Sequence, residues 1–283
     1  MSERIWRCRD RVFVLGRRTL VMGIVNVTPD SFSDGGMFAD AQDAVAHAAT
    51  LVDEGADLVD VGGESTRPGS DPVSVDEELS RVIPVIEGIR AARPDVVVSV
   101  DTHHAEVAER ALASGAAVVN DVGAGHDAAM FDVVRDAEAG LVLMHMLGDP
   151  KTMQDDPRYE DVVGEVHEFL RERVEAAVFT GLRAEQLAVD PGIGFGKDLG
   201  HNLALLRALA AFSDLDVTVL VGVSRKRFIG SLSGVERAVD RLEGSLAAAA
   251  WCAANGADVV RVHDVAATVR ALKVTDAIAR GTG

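Results

Sequence analysis

The chain has 283 residues, 48% of them hydrophobic and 26% charged. That composition excludes a disordered or collagen-like chain, and the length is near the roughly 250 residues of a closed (β/α)8 barrel. No stretch reaches the ~20 consecutive apolar residues of a membrane span. The balance of 28 Lys plus Arg against 45 Asp plus Glu gives a net charge of -17, a field that repels nucleic acid and anionic lipid. A small anion can still be captured where cations cluster, so the positions of the few basic residues are informative.

The N-terminal stretch scatters arginines among apolar residues and lacks the hydrophobic core and cleavage site of a secretory signal; a cytoplasmic protein is expected. Residues 5–18 read as a short hairpin ahead of the main fold, within an extension covering residues 1–19. Eight Val/Ile/Leu-rich runs then follow, at 20–27, 58–62, 96–101, 118–122, 141–145, 187–190, 217–223 and 259–263. Their nearly continuous apolar character suits parallel strands covered on both faces. Helical patterns alternate with them at 41–54, 75–92, 105–114, 128–137, 159–180, 201–211, 242–255 and 266–279, and Gly55, Gly115, Gly181 and Gly256 follow helix ends where glycine is favoured. Strand-then-helix repetition eight times over predicts an α/β chain folded as one (β/α)8 TIM-barrel domain over 1–283. An open doubly wound sheet is disfavoured because no Gly-rich nucleotide fingerprint follows the first strand. Cys8 and Cys252 stand far apart without metal-ligand spacing and read as plain thiols.

Active sites of such barrels lie at the C-terminal ends of the strands, and here those ends are polar. In order they offer Asn26, then Glu64 to Arg67, Asp101, Asn120 and Asp121, His145, Asp190, Ser224 to Lys226, and Arg261 with His263. Any one could be a helix cap or turn residue; eight in succession point to a site. Asp101, Asn120, Asp190 and Lys226 combine donors and acceptors suited to a flat nitrogen-rich heterocycle. Arg261, His263, Asn26 and Arg67 suit a diphosphate with a hard cation such as Mg2+. Three motifs read as decoys. Gly192 to Lys197 superficially suggests a phosphate loop, but Pro191 and Asp198 stand where that motif needs Gly and Ser/Thr. The adjacent His103 and His104, at a helix start, should point different ways and read as solvated residues. The basic run Arg225 to Arg227 taken alone reads equally as a solvated turn.

Four motifs in order resemble the dihydropteroate synthase family of pterin-binding enzymes: MGIVNVTPDSFSDGG at 22–36, DVGGESTRPG at 60–69, DPGIGFGK at 190–197 and SRK at 224–226. Weaker matches lie at Ser99 to Thr102, Val119 to Asp121, Met144 with His145, and Arg261 to Asp264. The resemblance implies that Asn26 coordinates Mg2+, that Asp101, Asn120, Asp190 and Lys226 hold a pterin, and that Arg261 and His263, helped by Thr66, hold its diphosphate. It also implies that the stretches near Asp30 to Gly36 and Thr66 to Gly69 help form a p-aminobenzoate pocket, with Phe195, Ser224 and Lys226 completing the walls. Asp101, Lys226, Asp34 and Arg67 are the implied catalytic residues. The implied reaction joins dihydropterin diphosphate to p-aminobenzoate with loss of diphosphate, in folate biosynthesis, by a homodimer whose partners are small molecules, not nucleic acid or membrane. A non-catalytic pterin binder and a pterin-dependent methyltransferase are the other readings of such a barrel; the intact motifs around Arg67 and Lys226 argue against both.

Overall fold

The computed structural model describes residues 4–27, 37–65, 72–149 and 151–281. Asp34, Thr66 and Arg67 lie outside them. The chain begins with an antiparallel hairpin, β1 (Ile5–Cys8) and β2 (Arg11–Val14). The barrel strands follow as β3 (Leu20–Asn26), β4 (Leu58–Gly62), β5 (Val97–Asp101), β6 (Val118–Asp121), β7 (Gly140–Met144), β8 (Leu187–Asp190), β9 (Thr218–Gly222) and β10 (Val259–Val262). All neighbours are parallel, and β10 closes the ring by pairing with β3 at Val259↔Leu20 and with β9 at Val259↔Leu220. The expected closed eight-stranded barrel with its N-terminal hairpin is therefore observed.

The helices are α1 (Met37–Asp53), α2 (Val75–Ala92), α3 (Ala105–Ala113), α4 (Met130–Asp136), α5 (Val162–Phe179), α6 (Leu199–Arg207), α7 (Arg227–Ser233), α8 (Leu242–Ala254) and α9 (Val265–Arg280). Two differences from the sequence pattern have local causes. Helix α5 starts at Val162 because the Asp161 carboxylate accepts the Val163 N–H at 3.2 Å, leaving Tyr159 free to donate its hydroxyl to the Gly196 carbonyl at 2.8 Å. Helix α7, absent from the pattern reading, is only two turns long and carries a glycine and two serines, too little apolar periodicity to register. The four glycines after helix ends adopt φ between 102° and 109°, backbone that other residues rarely tolerate.

Alternation along the strands divides the core in two. Leu20, Met22, Leu58, Val97, Val118, Val142, Ala188, Leu220 and Val259 form the cluster inside the barrel, together with Trp6, Cys8 and Leu15 of the N-terminal extension. Val59, Val61, Val98, Val100, Val119, Leu143, Val189, Val221 and Val260 pack outward against the helices. The hairpin thus closes the N-terminal end: Trp6 is fully buried and donates its indole N–H to the Gln186 carbonyl at 3.2 Å. Burial pushes the Cys8 thiol well above its ordinary pKa, so it is packing material rather than a reactive group.

The last helix is pinned to the first barrel strand by one carboxylate. Asp276 accepts the Thr19 N–H at 2.8 Å and hydroxyl at 2.9 Å, with Arg280 Nε 3.0 Å away. Asp276→Ala is expected to lower stability by about 2 kcal/mol, read as a fall in the denaturant midpoint at unchanged slope.

Candidate active site

With side chains alternating across a strand, the residues two or four positions beyond the inner apolar layer must face the barrel mouth. On β4, Leu58 is followed inward by Asp60 and Gly62. On β5 the sequence is Val97, Ser99, Asp101; on β6 Val118, Asn120; on β8 Ala188, Asp190; and on β10 Val259, Arg261, with His263 just beyond. The barrel interior therefore changes from apolar at its base to polar at its mouth. The same parity turns two of the polar strand-end residues away. Asp121 faces outward and accepts the N–H groups of Gly123 and Gly125 at 2.7 and 2.5 Å, so it builds a turn, and burial pushes its carboxyl up to about 6. His145 is buried beside Lys197, with Nδ1 2.9 Å from Nζ, and its ring packs edge-on against Phe169 of α5. On β7 the inward position belongs to Met144.

Arg261 organises the centre of the mouth. Its Nε donates to Asp60 Oδ2 at 2.6 Å and its Nη2 to Asp101 Oδ2 at 2.7 Å, while Asn120 Nδ2 donates to the same Asp60 oxygen at 3.0 Å. Four strands are thereby tied together by polar contacts. Asp60 is fully buried and was not among the sequence-derived site residues; the period-two step from Leu58 was the signal that could have found it. Among the described residues, three acceptor atoms here are buried without a hydrogen-bond partner: Asp60 Oδ1, Ser99 Oγ and Asp101 Oδ1. Each such atom costs about 1–3 kcal/mol, so the mouth is incomplete without a ligand that brings donors.

Gly222 shows where that ligand has room. A Cβ at this inward position would lie 3.7 Å from Lys226 Nζ, 3.9 Å from Arg261 Cβ and 4.0 Å from Asp190 Oδ2. The Lys226 ammonium, the Asp190 carboxylate and the base of the Arg261 side chain therefore meet around backbone that carries no side chain. Loss of hydration lowers Lys226 to about 8 against the opposing pull of Asp190, and the same loss raises Asp190, with Lys226 opposing it.

The loop after β8 supplies the wall. Asp190 Oδ1 accepts the Gly192 N–H at 2.7 Å. Gly192 has φ +67°, and a Cβ there would sit 1.9 Å from the His145 carbonyl oxygen, so only glycine fits. Lys197, which the phosphate-loop reading would aim at a ligand, instead donates to the Phe195 carbonyl at 2.8 Å beneath the loop, and burial lowers it to about 7. Phe195 is half-buried, its ring centroid 4.6 Å from Lys226 Nζ; Lys226 also donates to the Ile193 carbonyl.

After β9, Ser224 is buried with its Oγ 3.0 Å from His263 Nδ1. Arg225 leaves the mouth: its guanidinium grips Asp264 through two bonds of 3.0 and 2.6 Å. The basic run is thus split three ways: Lys226 turns into the mouth, Arg225 is held by Asp264 and Arg227 is exposed. Asn26, at the end of β3, is half-buried and its amide has no hydrogen-bond partner among the described residues. A single neutral oxygen donor fits Mg2+, which keeps several waters and takes further oxygens from a substrate phosphate.

A profile described as "pterin binding enzyme" matches residues 22–263. The chain belongs to the pterin-binding enzyme family. Among these pterin-binding enzymes, the dihydropteroate synthase of Escherichia coli K12 is 48% identical over 91% of this chain and 90% of its own length. That of Neisseria meningitidis serogroup B is 46% identical over 98% and 99%. The solved structure of Xanthomonas albilineans dihydropteroate synthase with 4-aminobenzoic acid superposes with a TM-score of 0.92 at 49% identity, covering 98% of each chain. No helix among the described residues is long and apolar enough to cross a membrane.

Proposed function

We propose that this member of the pterin-binding enzymes is a dihydropteroate synthase, a transferase that condenses (7,8-dihydropterin-6-yl)methyl diphosphate with 4-aminobenzoate to give 7,8-dihydropteroate and diphosphate in folate biosynthesis. The observation that carries the reading is the set of buried acceptors on Asp60, Ser99 and Asp101 that have no partner among the described residues, in the same barrel mouth as Asn120, Asp190 and Lys226. A pterin edge brings the N–H donors that such a set lacks. A related structure, the Xanthomonas albilineans enzyme with bound 7,8-dihydropteroate, is 47% identical with a TM-score of 0.87.

In the proposed mechanism the C–O bond to diphosphate breaks first and its electron pair leaves with the phosphate oxygen. The 4-aminobenzoate nitrogen then attacks the methylene carbon and gives up a proton. Asp101, ionised, stabilises the cationic methylene-pterin between the two steps, and no covalent enzyme nucleophile is required. Asn120, Asp190 and Lys226 orient the pterin; Arg261 and His263 hold the diphosphate. Asn26 would hold Mg2+, which when bound supplies charge neutralisation on the departing diphosphate. Phe195, Ser224 and Lys226 line the 4-aminobenzoate side, and on the family motifs Thr66 joins the diphosphate site while Asp34 and Arg67 join the catalytic set. We read residues 1–283 as one domain that works in the cytoplasm as a homodimer, meeting small-molecule substrates only.

The deciding experiment is a product assay with dihydropterin diphosphate, 4-aminobenzoate and Mg2+: formation of dihydropteroate and stoichiometric diphosphate is expected, and release of neither would overturn the reading. Arg261→Ala should weaken the diphosphate-bearing substrate about tenfold or more relative to the diphosphate-free pterin, measured by calorimetry. Equal losses for both ligands would mean that the guanidinium serves only Asp60 and Asp101.

A further inference from the structure

On the rim of the barrel, just outside the mouth, the adjacent histidines do the opposite of what their place in the sequence suggests. His104 is the residue before α3 and keeps an extended backbone, with φ -95° and ψ 119°, so the two side chains are not splayed around a helix. Their rings lie 4.0 Å apart, and one ligand atom each from Glu64, His103 and His104 fall within 4.8 Å of one another. His103 Nδ1 is 3.6 Å from Glu64 Oε2. That is too long for a hydrogen bond. It is close to the roughly 3.4 Å edge of a tetrahedron whose centre lies about 2.1 Å from each ligand, the bond length of zinc to imidazole nitrogen or carboxylate oxygen.

Behind this trio stands Glu78 of α2, fully buried. Its Oε2 lies 2.8 Å from His104 Nδ1, so that with Nδ1–H donating to the carboxylate Nε2 is the nitrogen left for an ion, and its Oε1 is buried without a partner among the described residues. A carboxylate holding the far nitrogen of a ligating histidine is the usual support of a zinc site. The surrounding charge also favours a cation: Asp127 accepts the Ala105 N–H at 2.9 Å beside the pair, and the neighbouring Arg81 is committed to the Gly63 carbonyl and Glu77. His103 and His104 remain partly open to solvent, with 41% and 27% of their side chains exposed.

We propose that Glu64, His103 and His104, supported by Glu78, form a binding site for a borderline divalent cation of the Zn2+ class, separate from any Mg2+ at Asn26. Two imidazoles and one carboxylate leave a fourth position for water. Nitrogen ligands select Zn2+ or Co2+ over Mg2+, which prefers oxygen. The remaining Glu64 oxygen accepts the Val73 N–H at 3.2 Å, so an ion here would bind the base of the segment that carries Thr66 and Arg67.

The test is a Co2+ titration of the chelator-treated full chain in excess Mg2+. The expected result is the intense visible absorption of tetrahedral cobalt, saturating at one equivalent and bleached by Zn2+. His103→Asn and His104→Gln should each weaken Co2+ at least tenfold. Glu78→Gln should weaken it about tenfold through the lost support. His167→Asn, on α5, should change nothing. Should His104→Gln or Glu78→Gln disturb the fold by circular dichroism, His103→Asn decides, since that ring is solvent-facing. Absence of a saturable band in the wild type, or an unchanged titration in His103→Asn, would overturn the proposal.

Discussion

Replacing Asp101 by Asn is expected to lower turnover by about 100-fold or more while the barrel stays folded. The substitution is nearly isosteric and keeps an acceptor for Arg261 Nη2, now 2.7 Å from the carboxylate, but removes the charge that in the proposed mechanism faces the methylene cation. A pH profile gives an independent check. Burial raises the Asp101 carboxyl to about 7, with Arg261 opposing the shift and Asp60, Glu78 and Glu64 reinforcing it. The carboxylate therefore forms as pH rises through about 7, and wild-type kcat/KM for the free enzyme should rise over the same interval. Asp101→Asn should lose that limb. The same shift acts on stability with its own sign. Because the folded state holds this proton more tightly than the unfolded chain, the Asp101 contribution to stability falls as pH climbs from the ordinary carboxylate range towards 7. Near-native turnover in the variant would reduce Asp101 to a structural strand-end residue.

The largest loss of stability is expected at Asp60. Its Oδ2 accepts from both Arg261 and Asn120 inside the barrel, so Asp60→Ala strips a buried guanidinium of one of its two carboxylates and frees the Asn120 amide. Removing one partner of a buried ion pair costs about 3 kcal/mol or more, corresponding to a fall in Tm of roughly 5–10 °C. Asp60→Asn keeps the volume and one acceptor and should lose less. Because Asp60 offers its unpartnered Oδ1 to the ligand and also holds Arg261 and Asn120 in place, both variants should also raise KM for the pterin substrate more than they lower kcat. A Tm within about 1 °C of wild type for Asp60→Ala would show that Arg261 needs only Asp101.

How these residues could be recognised differs from one to the next. The strands were legible because each barrel strand is a mainly apolar run of four to seven residues with polar residues at or just beyond its end, and the helices because glycine follows so many of them. Asp101, Asn120, Asp190 and Arg261 were legible for a further reason: each stands at an even step from an inward apolar residue on its own strand. His145 looked equivalent in the sequence, yet it stands at an odd step, and the barrel turns it outward to Lys197 and Phe169. Asp60 was overlooked because it sits in mid-strand between valines, where a charged residue reads as a break in an apolar run rather than as part of a site.

The sequence by itself determined the order of strands and helices, the closed parallel architecture and the chemical character of the mouth, because periodicity, glycine placement and strand-end polarity are local properties. Only the tertiary structure decided which polar groups share a site. Arg261 meets Asp60 across 201 positions of chain and Asp101 across 160, and no local pattern encodes that pairing. It also decided that Arg225 belongs to Asp264 rather than to the mouth, and that His103 and His104 face Glu64 and Glu78 together. In each case barrel closure sets the direction of a side chain relative to elements distant in sequence, and that direction is a property of the whole ring of strands.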